Sequence, residues 1–432
     1  MKSGVSTIPV GTSIGSPSSD LSLTVRAMVC TSALLGGTFP FATHAELNDG
    51  EKFQLSVSDR YTYEDNIYRL ADSEQIGDLP LGVGASRDDY INRVSVGVEG
   101  AWQLWRQQFQ LVGQMNDSQY QNNTDLDNTS GNARGNWDWR VGDNLSGQLG
   151  ADYNRFLAGF ENSRFLEKDV LETFGTFWNA MLRIGPHWRL KTSARHAEIE
   201  HGAEIRKFDN SETDSGTFGV HYETALGNTF GWDYRYSEAR FKRPATLNGQ
   251  RFDRNFDEHT TAFSTEYVLG PKTALKGSVG YVRREYANAV ASNLARGSFS
   301  GGIWDAALKW QMTGKTAIHF NGWRKLRAYL DAETDYFVAK GGSIEPVWNP
   351  TAKISVRLEY SIEDQDYLGP SINVGVLGPR SDQVESQQIS IVYSPMHLLQ
   401  FSLSGRNERR DSDRPPLRYD GNTASIGVRL NY

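Results

Sequence analysis

Asn422-Thr-Ala-Ser-Ile-Gly-Val-Arg-Leu-Asn-Tyr432, the stretch that closes the chain, decides the fold class. Ala424, Ile426, Val428, Leu430 and Tyr432 are apolar or aromatic, while Ser425, Gly427, Arg429 and Asn431 between them are small or polar. A repeat of two puts the first set on one face of a β-strand and the second set on the other. The strand ends on an aromatic residue, Tyr432. Such an ending is expected of a bacterial outer-membrane barrel, whose last strand is the signal read by the barrel-assembly machinery. A soluble edge strand would show the same period, so the rest of the chain has to separate the two.

The alternation recurs along the chain. Val94, Val96 and Val98 alternate with Ser95, Gly97 and Glu99; Phe230, Trp232, Tyr234 and Tyr236 alternate with Gly231, Asp233, Arg235 and Ser237. Ile354, Val356, Leu358, Tyr360 and Ile362 oppose Lys353, Ser355, Arg357, Glu359, Ser361 and Glu363. A helix would scatter those charges around its circumference, whereas a strand sorts them.

Connections alternate between short and long. Gly142-Asp-Asn144, Gly185-Pro-His187, Gly270-Pro-Lys-Thr273, Thr313-Gly-Lys-Thr316, Trp348-Asn-Pro-Thr351 and Ser394-Pro-Met-His397 have the residues of tight hairpins. Between them lie the polar stretches Asn116–Gly131, Ala158–Asp169, His201–Ser215, Lys242–Glu258, Ala287–Gly297 and Asp364–Gln383. Short turns on one rim and long loops on the other predict an all-β transmembrane antiparallel barrel. Counting segments gives about eighteen strands, an even number that leaves both termini in the periplasm. Strands near 51, 89 and 334 are the least regularly patterned. A β-propeller would instead repeat a blade signature about every 40 residues, and the sequence has none.

Composition agrees with this reading. The 432 residues are 38% hydrophobic and 12% aromatic with 42 glycines, and mean hydropathy is −0.54. No run of about 20 apolar residues could form a spanning helix, but a spanning strand needs only about 10 residues with every second one facing lipid. A net charge of −7 argues against a nucleic-acid partner. Residues 1–45 read as a signal peptide ending at Ala42-Thr-His-Ala45, which leaves 46–432 as the barrel. The sole cysteine, Cys30, lies in that leader.

Motifs for chemistry are few. Gly11-Thr-Ser-Ile-Gly15 matches the nucleophile-elbow pattern but sits in the leader, without the required strand and helix. His221 and His319 share the polar phase of their strands, which makes them lumen-lining groups. Asp125-Leu-Asp-Asn128 and Asp411-Ser-Asp413 could offer oxygens to calcium but equally read as acidic loops. No catalytic residue, cofactor or metal is assigned. Facing inward, the polar phases would present Arg189, Lys191 and Arg195 on one strand, Lys325 and Arg327 on a second, and Lys353 and Arg357 on a third. Glu223, Asp233, Glu266, Asp305, Glu359 and Glu363 share the same lumen. Two readings stay open: a salt-bridged wall, or a basic track that draws in an anionic polymer. Arg324 falls in the outward phase and leaves the register of its strand in question.

Tyr61-Thr-Tyr-Glu-Asp-Asn-Ile-Tyr-Arg-Leu70, just after the first strand, resembles the early signature of EpsL-type exopolysaccharide outer-membrane proteins, of the β-barrel porin 2 group. Tyr63, Asp65, Asn66, Tyr68, Arg69 and Leu70 are the matching positions, and Glu64 stands where the group often has Asp. The resemblance implies an outer-membrane barrel encoded with exopolysaccharide machinery, and it brings no catalytic residues. Physically, Asp65 and Asn66 suit an Asx-type turn, with Arg69 paired to Asp65 or to a lumen carboxylate. The expectation is a passive exit channel for an exopolysaccharide, set in outer-membrane lipid, with periplasmic export components as candidate partners. The alternatives are a nutrient-uptake porin and a barrel enzyme acting on lipid or polysaccharide.

Overall fold

The computed structural model describes residues 53–74, 76–78, 85–161, 166–247, 250–252, 254–286, 298–331, 334–368 and 380–432. The leader with Cys30 and Gly11–Gly15 lies outside them, as do the loop expected at 287–297 and the centre of the one expected at 364–383.

The first nine strands are β1 (Phe53–Glu64), β2 (Asp89–Leu104), β3 (Gln107–Tyr120), β4 (Asn128–Val141), β5 (Leu145–Leu157), β6 (Val170–Ile184), β7 (Trp188–His201), β8 (Ser211–Glu223) and β9 (Thr229–Phe241). A short hairpin follows, β10 (Ala245–Leu247) and β11 (Gln250–Phe252). Then come β12 (Phe256–Gly270), β13 (Thr273–Tyr286), β14 (Phe299–Trp310), β15 (Thr316–Asp331) and β16 (Thr334–Thr351). The last four are β17 (Ile354–Leu368), β18 (Arg380–Met396), β19 (Leu399–Ser412) and β20 (Tyr419–Asn431). Each pairs antiparallel with the next, β9 pairs with β12 across the short hairpin, and β1 pairs with β20 from Ser56 opposite Asn431 to Glu64 opposite Thr423. The result is a closed barrel of 18 strands, which leaves no main-chain edge at the seam between first and last strands.

Outward positions are the apolar ones. On β1 these are Phe53, Leu55 and Val57, on β20 Ile426 and Leu430, and just after it Tyr432, all exposed. Aromatic rings flank this apolar belt. Trp102, Trp137, Trp188, Trp310 and Trp348 lie toward the short turns, and Tyr61, Tyr90, Tyr236 and Tyr281 toward the long loops. An exposed apolar belt between two aromatic girdles is the surface of a barrel solvated by lipid. The protein is a membrane-spanning barrel of the bacterial outer-membrane kind.

Turns on one rim take two to five residues. Gly142 and Gly185 sit in two of them at φ 61° and 62°, a left-handed conformation that other residues adopt only with strain. Several loop boundaries differ from expectation because the strands run further: Ser211–Ser215 belongs to β8, Asp364–Leu368 to β17 and Ser394–Met396 to β18. Asn116–Tyr120 belongs to β3, because the Asp127 carboxylate accepts the Tyr120 N–H (2.7 Å) and carries the strand to that point. Trp348–Thr351 ends β16 instead of forming a turn, which falls at Ala352-Lys353.

One part of the wall leaves the cylinder. The β14–β15 ladder runs only from Trp310 opposite Ile318 to Trp304 opposite Arg324. Beyond it, Leu326, Tyr336 and Val338, in the outward phase of β15–β16, pack against Val282, Phe299 and Ile303, in the inward phase of β13–β14. Outward-phase side chains can touch the inner face of neighbouring strands only if the hairpin leans into the lumen. Arg324 marks the departure: its Nη1 is 3.6 Å from the site a Cβ of Gly301 would take, on the inner side of β14. Its outward phase is therefore correct in register, and the lean explains the residue. The lean also explains why the strand near 334 patterns poorly, since Tyr336, Phe337, Val338 and Ala339 are all buried and neither face meets solvent.

Candidate functional site: the lumen and its mouth

The four arginines predicted to face inward do so, and each holds a carboxylate. Arg189 pairs with Glu223 (2.8 Å) on the neighbouring strand. Arg195 grips Asp152 with both terminal nitrogens (2.8 and 2.9 Å). Arg327 donates to Glu363 (2.9 Å), and Arg357 pairs with Glu345 (2.9 Å). Lys191 donates to His221 Nδ1 (3.4 Å), whose Nε2 donates to Asp233 (2.9 Å), and Ser264 donates to the other oxygen of that carboxylate (3.2 Å). Lys325 shares the inward row of β15 with Arg327. Lys353 corrects the expectation: it is exposed in the two-residue turn before β17, so the Lys353–Arg357 pair is not a pair on the wall. The wall these residues form is mixed in sign, with its charges matched strand to strand.

His319 is inward beside Asn321 and lies 3.6 Å from Glu345. The two acidic runs serve loop structure. Asp127 caps Tyr120, Asp411 pairs with Arg418 (3.2 Å), and the Asp413 carboxylate accepts the Ser381 N–H (3.1 Å).

The Tyr63–Leu70 motif organises the long-loop rim. The Asn66 side chain accepts the Leu70 N–H (2.8 Å) and donates to the carbonyls of Leu70 and Asp420 (2.9 Å each), while itself fully buried. Asp65 accepts the backbone and side-chain N–H groups of Asn422 (2.7 and 2.8 Å). Arg69 sits at φ 55°, a strained position for a side-chain-bearing residue, held by its bonds to Glu64 and to the Asn66 carbonyl (2.6 Å). It also approaches Glu408 (3.7 Å) on β19 and the Tyr419 ring (5.7 Å). Arg69 thus takes Glu64 and a lumen carboxylate, and Asp65 goes to the last strand. Tyr63 lies against Tyr90 (4.9 Å between rings).

The motif's apolar members fold inward. Ile67, Tyr68 and Leu70 pack with Leu126 and Phe160 from the next two long loops, on the inward-facing Ile91 and Tyr120 of the wall. The Tyr68 ring packs tilted against Phe160 (4.9 Å between centroids), and its hydroxyl donates to Asn123 (3.1 Å). The local pattern did not disclose the residues that fix this core. Buried Asp89 accepts the N–H groups of Gln121, Asn122 and Asn123 (2.9–3.0 Å). Buried Asp209 takes Arg206 (2.9 Å) and Arg254 (2.6 Å), and Asp169 takes His201 (2.6 Å). Asp89 opens β2 and Asp169 precedes β6, while Asp209 closes the 3-10 turn Glu204–Asp209 before β8; each is a single Asp, a faint signal for a loop staple.

A polar band continues round the inner wall. Trp323 donates to Glu363 (2.7 Å), Gln365 to Glu363 (2.9 Å) and Tyr367 to Gln365 (2.8 Å). Arg380 lies over the Tyr367 ring (4.0 Å) and bonds Asp382, which also accepts Ser412 (2.5 Å). Arg410, 3.7 Å from Asp382, donates to the Glu161 carbonyl in the loop between β5 and β6. Burial there pushes the Glu161 carboxyl up to about 7, with Arg69 and Arg410 pulling the other way.

No family model matches the sequence, and no curated protein is similar to it. Among solved structures, the chain is similar to OccK2 (OpdF) of Pseudomonas aeruginosa, at 10% identity and a TM-score of 0.49 over 88% of this chain and 98% of that one. The outer membrane protein opdK from the same organism is 8% identical, with a TM-score of 0.47 over 88% and 99%. OccAB3 of Acinetobacter baumannii is 9% identical, with a TM-score of 0.46 over 88% and 98%.

Proposed function

We propose that this protein is a passive outer-membrane channel for small hydrophilic solutes, an uptake porin, and not the exit route of a polymer. The observation behind this reading is the packed mouth. Three long loops form a shared apolar core on the inner wall of β2–β3, and the β15–β16 hairpin leans inward from the opposite side. Each takes cross-section from a bore that an extended polysaccharide would need clear. The mixed-sign, water-compatible wall below suits polar solutes of modest size.

The second reading is passive exopolysaccharide export with periplasmic components behind it. Its support is the Tyr63–Leu70 resemblance, whose residues in this barrel clasp wall and loops. One experiment separates the two: liposomes containing the purified barrel are challenged with neutral sugars of rising size, and surface polysaccharide is measured in a gene deletion. Entry of mono- and disaccharides with unchanged surface polysaccharide supports uptake. Loss of surface polysaccharide in the deletion, restored by the intact gene, overturns it.

A further inference from the structure

We propose that the β15–β16 hairpin is the movable gate of this channel, leaning into the lumen in one state and zipped against β14 in the other. The gating role rests on the passage reading above. β14 extends to Phe299 and β15 to Asp331, yet their ladder ends at Trp304 opposite Arg324. The strand lengths 299–303 and 325–331 therefore lie beyond their common ladder, with edge groups available for pairing.

Continuing the existing register would set Ile303 opposite Lys325, Gly302 opposite Leu326 and Gly301 opposite Arg327. The phases agree. Lys325 and Arg327 would join the inward row that already holds Ile303 and Asp305, and Leu326 would join the outward row that holds Trp304. Gly302 offers no obstacle, the nearest atom to its Cβ site being a carbonyl 3.9 Å away.

The apolar face of the hairpin is satisfied in both arrangements. Leaning, Leu326, Tyr336 and Val338 are packed on β13–β14, with Tyr336 5.2 Å from the Phe299 ring and 6.5 Å from Tyr286. Zipped, the same residues would face outward in the row of lipid-exposed Trp304. A surface covered either way is what lets two packings lie close in energy. A hinge is present as well: Gly322 of β15 stands opposite Gly342 of β16, with Gly341 beside it, two residues short of the Trp304–Arg324 pair that ends the β14 ladder. Glycines across both strands of a hairpin lower the cost of bending it there.

The test uses two double-cysteine variants of the full chain in a Cys30→Ser background. Phe299→Cys with Tyr336→Cys bridges the leaning state, and Gly302→Cys with Leu326→Cys bridges the zipped one. Ile303→Cys with Lys325→Cys replaces the latter should it fail to fold, as judged by heat-modifiability. Each folded barrel is treated with a short bis-methanethiosulfonate and inserted into planar bilayers. Both bridges should form. The first should lower single-channel conductance about twofold or more against the same protein after dithiothreitol, and the second should hold the higher level. A zipped-state bridge that never forms in folded protein, or two bridges of equal conductance, overturns the gate. Absence of conductance from the unbridged barrel overturns the passage reading instead, and bridge yields then still report whether the hairpin moves.

Discussion

Asp65, just past the first strand, and Asn422, on the last, are joined by three hydrogen bonds across 357 positions of sequence: the Asp65 N–H to the Asn422 carbonyl (3.1 Å), and the Asn422 backbone and side-chain N–H groups to the Asp65 carboxylate (2.7 and 2.8 Å). They fasten the closing seam one step above the last β1–β20 pair, Glu64 and Thr423. Together with Asn66, which reaches the Asp420 carbonyl, the motif is a clasp on barrel closure.

Removing that clasp should weaken the closed barrel. Asn66→Ala leaves the buried N–H of Leu70 without its partner, while the Leu70 carbonyl keeps Arg87, at a cost of about 1–3 kcal/mol. Asp65→Ala, at a half-buried site, should cost less. Both should lower the temperature at which the barrel loses its fast-migrating folded form on gels. Equal behaviour of Asn66→Ala and the intact protein would show that the seam holds without it.

The two rims should be distinguishable from outside the cell. An epitope inserted after exposed Arg243, in the loop between β9 and β12, should be reached by antibody on intact cells, and one inserted at Lys272 in a tight turn should not. Labelling of Lys272 alone would reverse the assignment of the rims.

Loop docking should respond to pH through Glu161. Its carboxyl in the folded barrel is raised to about 7, so the neutral form is the one the fold favours. The stabilisation is complete below the ordinary carboxylate range and is lost as pH rises through about 7. The protection factors of the Phe160 and Glu161 amides, with exchange corrected for its intrinsic base catalysis, should therefore fall several-fold between about pH 5 and about pH 8. Glu161→Gln should flatten the change. The same pH response in that variant would assign the effect to another group.

Wall charge should matter pair by pair. Arg327→Gln or Arg357→Gln removes the arginine paired with Glu363 or Glu345, so each should shift ion selectivity toward cations, with a stability loss of about a kcal/mol or less at part-exposed Arg357 and a larger one at Arg327, whose partner Glu363 is buried. Lys353→Gln, in the turn, should leave selectivity unchanged. A selectivity shift from Lys353→Gln equal to that from Arg327→Gln would place the governing charge at the rim.

The sequence by itself determined the barrel. A strand with lipid on one side and water on the other must alternate, so Ile426, Val428 and Leu430 against Gly427 and Arg429 announce both strand and face. Glycine- and proline-bearing turns then mark where each hairpin reverses, and the observed strands begin within a few residues of those expected. The phase of Arg189, Arg195, Arg327 and Arg357 followed from the same rule. Their partners did not: Asp152 is 43 residues from Arg195 and Glu363 is 36 from Arg327, and alternation says which face a residue takes, not what stands across from it. The mouth was illegible for the same reason. Asn66 reaches Asp420, Asp89 reaches Gln121–Asn123 and Asp209 reaches Arg254, partners brought near only by barrel closure and loop packing. At Tyr336-Phe337-Val338-Ala339 the tertiary lean buries both faces, which erases the alternation itself, so only the assembled wall could show that this strand turns into the lumen.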